Sequence, residues 1–284
     1  RFLAPLLVAF GPACAQELKP GAPAPALPIA KWLKGKPVLN FEAGQVYVVE
    51  FWDSAADLGI TRNQDYLALE KKFAGKVSAI GVARDSEGID LPAIENFYEQ
   101  HGGSIDYRIG WDEGGKAHAA WLAASGHEAP TVFVVDAKGT FVWAGALAWL
   151  ELVLPSTVAG KADPKALAEQ VDKLEKRFQR VFVAAALKPQ VAIQEMDALL
   201  AEHAFLAEYL LPGVFSTLMG EKHFEFAARL GPRVADLGIA KGNGDLLNSL
   251  AWSIVDPESP QEKRDLATAE RAAKKAVELS KEEE

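Results

Sequence analysis

Cysteine is almost absent from this chain of 284 residues, which carries a single one, Cys14, close to its start. One cysteine excludes a disulfide within the chain, a metal site built on several thiolates, and a pair of thiols that cycles between reduced and oxidised forms. Exported domains often rely on disulfides for their stability. We therefore expect this protein to be stabilised by burial of apolar surface, for which its length is sufficient.

Positive charge is also scarce. The chain has 30 Lys and Arg residues against 39 Asp and Glu residues, so its formal net charge is −9 at pH 7. An acidic protein gains nothing from counterion release on a phosphate backbone, and it is not attracted to anionic lipid headgroups. The charge balance therefore argues against nucleic acid as a partner and against general binding to an anionic membrane surface.

The sequence lacks the common patterns of metal and nucleophile chemistry. It has no histidine pair with the spacing H-x-x-x-H and no G-x-S-x-G elbow. We therefore expect neither a metal ion nor a cofactor. The histidines stand singly, at His101, His118, His127, His203 and His223.

The first fifteen residues have the composition of a truncated secretory signal peptide. Arg1 precedes the apolar run Phe2–Phe10, and Ala13-Cys14-Ala15 matches an A-x-A cleavage site. Cleavage there would remove the thiol and export the mature chain to the periplasm or the extracellular space. The apolar run is too short to cross a bilayer, so we expect no integral membrane segment in the mature chain. Two alternatives remain open: a buried amino-terminal segment, and a lipid anchor at Cys14.

Residues 16–160 alternate between short apolar runs and amphipathic segments. Runs rich in β-branched and aromatic residues predict strands, apolar residues at helical spacing predict helices, and the segment Asp136-Ala137-Lys138-Gly139 predicts a hairpin turn. Strands that alternate with helices favour a central sheet with helices on both faces. The predicted order is strand 46–52, helix 62–73, strand 77–83, helix 91–101, strand 105–109, helix 115–124 and a hairpin over 131–144.

Residues 161–284 contain no convincing strand, and we predict a second, all-α domain of helical hairpins. The segment Pro164–Val183, for example, places Leu167, Val171 and Leu174 on one face. A break is expected at Pro212-Gly213, because proline cannot donate a helical hydrogen bond. The predicted helices are 164–183, 189–203, 205–211, 215–230, 245–255 and 261–279.

Two segments carry a resemblance to a known family. Val48–Gly59 reads VVEFWDSAADLG and resembles the active-site segment of TlpA-like thioredoxins. Ala129-Pro130-Thr131, followed by the run 132–136, resembles the cis-proline turn and the next strand of the same family. The resemblance covers about residues 17–150 and implies a thioredoxin-like α/β fold with a central mixed sheet. The helical domain loosely resembles the tetratricopeptide-like tails of some exported redoxin proteins.

The segment that resembles the active site departs from the family at the two cysteine positions. In the family, two cysteines flank Gly-Pro at the start of a helix, whose positive end lowers the pKa of the first thiol. Here those two positions hold Ala56 and Gly59, with Asp57 and Leu58 between them. We therefore predict no catalytic residue for dithiol–disulfide exchange. Ser54 and Asp57 fit a capping box, so Asp57 is interpreted either as a helix cap or as a carboxylate with a new role.

The resemblance also implies a groove for an extended peptide. In the family, the backbone of the residue before the cis proline pairs with the substrate peptide, and this function needs no thiol. Carried over to this sequence, we expect a cis bond before Pro130 and an apolar platform at Trp52. The predicted groove residues are Trp52, Ala129, Pro130 and Thr131.

Two further titratable residues are candidates for chemistry. Glu50 occupies the position of a buried acid that assists proton transfer in active relatives, and a buried carboxyl without a partner would have a raised pKa. It is either an inherited feature or a present catalytic group. His127 is either a solvated loop residue or part of the rim of the groove.

Three hypotheses for function follow. The first is an exported, non-catalytic module that binds a peptide or protein partner in the cell envelope. The second is a member of the thiol–disulfide oxidoreductase family that acts in redox homeostasis through the cysteines of a partner. The third is an enzyme with new chemistry around Asp57, Glu50 and His127.

Overall fold

The computed structural model describes residues 17–52, 60–85, 90–101 and 107–282, without the side chains of residues 60–65, 101 and 282. Several predictions lie outside these residues. They are the signal segment 1–15, the proposed cap at Ser54, and the degenerate site positions Ala56, Asp57, Leu58 and Gly59.

The chain divides into two compact units, one that ends at Glu169 and one that begins at Gln170. The division falls within a long helix, and the domain limit expected near residue 160 remains a prediction. The first unit contains strands β1 (Lys31–Lys34), β2 (Val46–Phe51), β3 (Val77–Ala83), β4 (Arg108–Trp111), β5 (Thr131–Val135) and β6 (Phe141–Gly145), with helices α1 (Ile60–Lys72), α2 (Leu91–His101), α3 (Lys116–His118) and α4 (Leu150–Val158).

The six strands form one mixed sheet in the order β1-β4-β3-β2-β5-β6. Strands β2, β3 and β4 run parallel, whereas β5 pairs antiparallel with β2, and β6 antiparallel with β5. Every residue of β2 and β3 is buried, which is the pattern of strands that are covered on both faces. The thioredoxin-like α/β fold that the resemblance implied is confirmed.

An aromatic cluster fills the core on one face of this sheet. The rings of Phe51 and Phe133 lie 5.6 Å apart and those of Trp121 and Phe133 lie 5.3 Å apart, both close to perpendicular. Edge-to-face contacts of this kind add to the effect of burial, and each buried aromatic side chain stabilises the fold by roughly 1.5–3 kcal/mol. This cluster provides the burial that the scarcity of cysteine led us to expect.

The hairpin predicted at Asp136–Gly139 is present. The carboxylate oxygen Oδ1 of Asp136 accepts hydrogen bonds from the backbone N–H groups of Lys138 and Thr140, at 2.9 and 2.8 Å. Gly139 has a φ of +79°, a conformation that residues with a side chain rarely adopt. The turn therefore follows from its local sequence.

The second unit is all-helical within the described residues, which end at Glu282. Its buried residues are mostly aliphatic, and they follow helical spacing along each segment. None of the described helices in the chain is both long and apolar enough to span a membrane. The helices are α5 (Pro164–Leu187), which begins in the first unit, α6 (Pro189–Glu202), α7 (Ala207–Gly220), α8 (Phe224–Lys241), α9 (Gly244–Val255) and α10 (Leu266–Glu282).

The break predicted at Pro212-Gly213 is wrong, because Pro212 lies inside α7. The chain breaks instead at Glu221–His223, where Lys222 has a φ of +62°. Burial of the face that contains Leu211 and Phe215 outweighs the hydrogen bond that proline lacks. Local propensity was thus overridden by packing.

Smaller differences between prediction and structure concern the bounds of two elements and two short elements that were not predicted. The strand predicted at 105–109 is observed at Arg108–Trp111, and the last helix begins at Leu266 rather than at residue 261. Strand β1 and helix α4 were not predicted. Strand β1 is short and pairs only with β4 at the edge of the sheet, so its sequence carries little periodic signal.

Gly81 gives a test of the packing behind β3. A Cβ atom at this position would lie 2.3 Å from the Trp52 indole, whereas a Cβ at Gly220, at the end of α7, would meet nothing within 4 Å. We expect Gly81→Ala to lower the free energy of unfolding by about 1–3 kcal/mol. Gly220→Ala should be neutral or stabilise the protein by up to about 1 kcal/mol. Urea denaturation of both variants measures this, and equal effects would contradict the packing described.

Candidate functional site

The candidate site lies where the three parallel strands end. Strands β2, β3 and β4 finish at Phe51, Ala83 and Trp111, so their carboxyl ends share one edge of the sheet. In open α/β sheets this edge is the usual place for ligands. The segment that is predicted to hold the degenerate cysteine positions follows β2 directly and lies outside the described residues.

Glu50 is buried, and its carboxyl is hydrogen-bonded to two other side chains. Its Oε2 atom accepts a hydrogen bond from the indole N–H of Trp52 at 3.0 Å and another from the Tyr66 hydroxyl at 2.7 Å. Both partners are buried as well. The sequence of β2 could not predict these partners, because Tyr66 comes from α1.

Trp52 lies in the interior rather than on a groove surface. Only 4% of the residue is exposed, and its ring lies against Gly81 of β3. The hydrogen bond to Glu50 holds the indole in this position. A platform for a peptide would need an exposed ring, so the role that the resemblance implied for Trp52 finds no support in this placement.

The loop before β5 holds the other predicted groove residues. The Ala129–Pro130 bond is cis, as expected. Ala129 is half-buried and Pro130 is exposed, whereas Thr131 is buried and its hydroxyl donates a hydrogen bond to the Glu128 carbonyl. Thr131 also pairs with Phe51, so this loop adjoins the end of β2. Within the described chain, the backbone N–H and C=O of Ala129 form no hydrogen bond.

His127 lies near this loop and is held by its neighbours. Its Nδ1 atom is 3.0 Å from the Ser125 hydroxyl, and its ring packs on Phe133 at 5.8 Å. Phe133 belongs to the aromatic cluster of Phe51, and Glu50 points to the opposite face of β2 because neighbouring strand residues alternate. The sheet therefore separates His127 from Glu50, and the two do not form one site.

A second buried network, which we did not predict, lies at the end of β4. The Oδ1 atom of Asp112 accepts the backbone N–H of Ala117 at 2.9 Å, and Oδ2 accepts that of His118 at 2.8 Å. The same Oδ2 is 2.8 Å from Nδ1 of His118. Asp112 is fully buried and His118 is 4% exposed.

The surroundings of Asp112 lower the pKa of its carboxyl group. Burial by itself raises the pKa of Asp112, but the hydrogen bond from the His118 ring, the two backbone N–H groups and the charge of His118 together hold that pKa below its usual value. A carboxylate at Oδ2 requires the proton of His118 on Nδ1. The Nε2 atom is then left buried with no hydrogen-bond partner, and the imidazole ring packs edge-on against Phe51 at 4.9 Å.

The pair was not predicted because it joins an aspartate to a single histidine, whereas the metal motifs considered contain two histidines. The signal that could have found it is an aspartate directly after a strand and six residues before a histidine at the start of a helix. The Asp112 carboxylate accepts the backbone N–H groups of Ala117 and His118, as a helix-capping side chain does, and it also holds the imidazole of His118. The described residues contain no cluster of His, Cys, Asp and Glu that could hold a metal ion.

Comparison with known proteins gives one clear relative. No family model matches the chain. Protein FixW of Rhizobium leguminosarum is 34% identical over 152 residues, which cover 51% of this chain and 69% of FixW.

Two solved structures show lower similarity over about half of the chain. A thiol:disulfide interchange protein of the thioredoxin family from Chlorobium tepidum is 21% identical, with 49% of this chain and 97% of that chain covered, at a TM-score of 0.38. A thiol-disulfide isomerase from Corynebacterium glutamicum is 20% identical, with 48% and 96% covered, at a TM-score of 0.38. The fold assignment made above rests on strand order and pairing.

The Asp112 network predicts a specific dependence of stability on pH. Because the folded pKa of Asp112 is lowered, its contribution is complete above the unfolded value near 3.9 and is lost as the pH falls through the folded value. Asp112→Ala should lower the free energy of unfolding by roughly 3–5 kcal/mol near neutral pH. It should also flatten the loss of stability below about pH 4.

Urea denaturation at a series of pH values between about 3 and 7 measures this effect. The matched control is Asp85→Ala, since Asp85 is exposed. If the Asp112 and Asp85 variants showed the same pH dependence, the network would not stabilise the fold as described.

Proposed function

Because this chain belongs to the family of protein FixW and has a thioredoxin-like fold, we propose that it is an exported, non-catalytic thioredoxin-like protein that binds an extended segment of a partner protein. The partner is a peptide or protein of the cell envelope. The contact is made beside the carboxyl end of β2 and the loop before β5, where the backbone of Ala129 forms no hydrogen bond to any described residue.

The absence of cysteine from the segment that resembles the thioredoxin active site supports a binding role. Thiol–disulfide exchange begins with attack by a thiolate, and the chain's one cysteine, Cys14, lies outside the segment that resembles the thioredoxin active site. The two positions that correspond to the reactive cysteines hold Ala56 and Gly59. Neither side chain can form a mixed disulfide, so the inherited chemistry is not available to this chain alone.

The backbone of Ala129 is the observation that carries the proposal. Its N–H and C=O form no hydrogen bond within the described chain, although Ala129 is half-buried and directly precedes a strand. Buried backbone groups are nearly always paired. An extended peptide that aligns with this segment would satisfy both groups, in the way that a strand adds to a sheet edge. Recognition through the backbone needs no thiol and little side-chain specificity.

A second candidate function is redox chemistry through the cysteines of a partner. The observation that favours it is the buried Glu50 carboxyl, which is still held by Trp52 and Tyr66 although no thiol of this chain needs it. In this case the chain would position a partner's dithiol rather than react itself. This function requires cysteines in the partner, whereas peptide binding does not. A partner with and without cysteines therefore distinguishes the two candidate functions.

Peptide binding at Ala129 can be tested directly by NMR. We expect the reduced and carboxymethylated B chain of insulin, an extended peptide without free thiols, to shift the amide signals of Ala129 and Thr131 in ¹⁵N-labelled protein. Ala129→Pro deletes the N–H donor and should weaken binding by about tenfold, the value of one hydrogen bond. Lys138→Ala, in the hairpin turn, is the control and should bind normally. Unchanged binding by an Ala129→Pro protein with a native unfolding curve would refute this binding site.

The lack of thiol chemistry gives a second test. We expect no reduction of insulin disulfides above background by the wild-type chain. Ala56→Cys combined with Gly59→Cys should introduce measurable exchange, because α1 begins at Ile60 and the positive end of a helix favours a thiolate. The rescue should be partial, since the negative charge of Asp57 raises the pKa of a neighbouring thiol. Adding Asp57→Gly and Leu58→Pro should improve it.

The matched control for this rescue replaces Ala56 and Gly59 by serine, which adds polar side chains without sulfur. Activity in the serine variant would point to a contaminant. If the cysteine variant folds but neither forms its disulfide nor reduces insulin, even with the two additional changes, the segment has diverged beyond its cysteine positions. Reduction by the wild-type chain only when a dithiol partner is supplied would favour the second candidate function.

A further inference from the structure

The helical unit carries an exposed row of apolar residues along α5 and the start of α6. Val183 is 61% exposed, Leu187 is 74% exposed and Val191 is 39% exposed. Arg180, Val183 and Leu187 follow the i, i+3, i+7 spacing of one helix face. Arg180 and Lys188 flank the row and have no ion-pair partner among the described residues. We call these five residues the basic stripe.

The charge of this region is mostly positive, although Lys176 and Arg177 are paired with Asp172 and Glu202. Residues 173–191 contain five Lys and Arg residues and one Glu. The opposite face of α5 is buried, with the ring of Phe182 close to Gly213 of α7 and the Ala186 carbonyl 2.9 Å from Nε2 of His223. The basic stripe therefore lies on the side of α5 that faces away from α7 and α8.

A second exposed apolar surface lies on α9 and α10. Trp252 is 63% exposed, Val255 is 41% exposed, Leu266 is 59% exposed and Val277 is 53% exposed. A groove of about 340 Å³ continues this surface and is lined by Asp245 and residues of α10. We call Trp252, Val255, Leu266, Val277 and Asp245 the acidic face.

The charge around the acidic face is opposite to that of the basic stripe. Residues 244–265 contain five Asp and Glu residues against two Lys and Arg residues. One of the two cations, Arg264, is occupied by the carbonyl groups of Ile254 and Ser259. In α10, the cations Arg271, Lys274 and Lys275 are paired with Asp236, Glu270 and Glu278. Gly231 of α8 lies against Thr268 of α10, so α8 packs on the α9–α10 pair from within the unit.

From these two surfaces we propose that the protein self-associates head to tail, with the basic stripe of one copy docked on the acidic face of a second copy. Both surfaces are apolar, and their charges are complementary. The contact places apolar residues of α5 and α6 against Trp252 and Leu266, and it brings the Arg180 or Lys188 cation within reach of the indole face and of the acids between α9 and α10.

Charge decides between this arrangement and a symmetric dimer. Pairing the basic stripe with itself, or the acidic face with itself, would bring like charges together across a desolvated contact, which is unfavourable. When two copies associate through two different surfaces, the resulting pair still has one unoccupied basic stripe and one unoccupied acidic face. Such an interface adds further copies until the assembly closes into a ring, or else it grows as an open chain.

Analytical ultracentrifugation of the full chain, with two surface variants, tests the proposal. Val183→Glu with Leu187→Glu removes the basic stripe, and Trp252→Glu with Leu266→Glu removes the acidic face. All four positions are exposed, so we expect native circular dichroism. Ser216→Glu, at an exposed position of α7, is the matched control.

The expected result is specific to a head-to-tail contact. The wild type and the Ser216→Glu control should form species that grow with concentration and dissociate at high salt, because screening weakens the ion pairs. Each double variant should be monomeric alone. An equimolar mixture of the two should form a 1:1 dimer and nothing larger, because each retains the surface that the other lacks.

Three outcomes would overturn the proposal. The first is a wild type that remains monomeric over the whole concentration range. The second is a mixture of the two variants that stays monomeric when the wild type associates. The third is a variant that dimerises alone, which would indicate a symmetric contact through its remaining surface. The peptide and insulin experiments above do not depend on any of these results.

Discussion

The position of β2 in the middle of the sheet is the constraint on which the rest of the first unit depends. This strand pairs with β3 on one side and with β5 on the other. Because neighbouring strand residues alternate between faces, β2 directs Phe51 into the aromatic cluster and Glu50 to the other side. The same pairing brings Thr131, next to the cis-proline loop, alongside the end of β2. Glu50, Phe51 and the cis-proline loop are therefore placed by this strand.

The buried carboxylates of Glu50 and Asp112 are each hydrogen-bonded within the fold. Glu50 is held by an indole and a phenol, and Asp112 is held by two backbone amides and an imidazole. Removing one member of such a network leaves another polar group buried and unpaired, at a cost of about 1–3 kcal/mol for a neutral partner and more when a charged partner is lost. These networks order the carboxyl edge of the sheet without any thiol. They are compatible with a protein that keeps the thioredoxin framework for binding.

The sequence predicted most of the framework, and its failures have physical causes. Long apolar runs such as β2 and the turn at Asp136 were predicted correctly, because their signals are local. The break expected at Pro212 was wrong, since burial of α7 outweighs one missing hydrogen bond. Edge strand β1 was missed because four residues with a single partner carry little pattern.

The sequence by itself determined that the chain carries one cysteine. Its resemblance to thioredoxins led to the prediction that Ala56 and Gly59 occupy the positions of the family's reactive pair. Composition is a property of the chain and needs no fold. Only the tertiary structure decided the partners of Glu50 and the link between Asp112 and His118, because these contacts join separate elements. It also decided that Trp52 is interior and that Trp252 is exposed, since burial depends on what the fold packs against each ring.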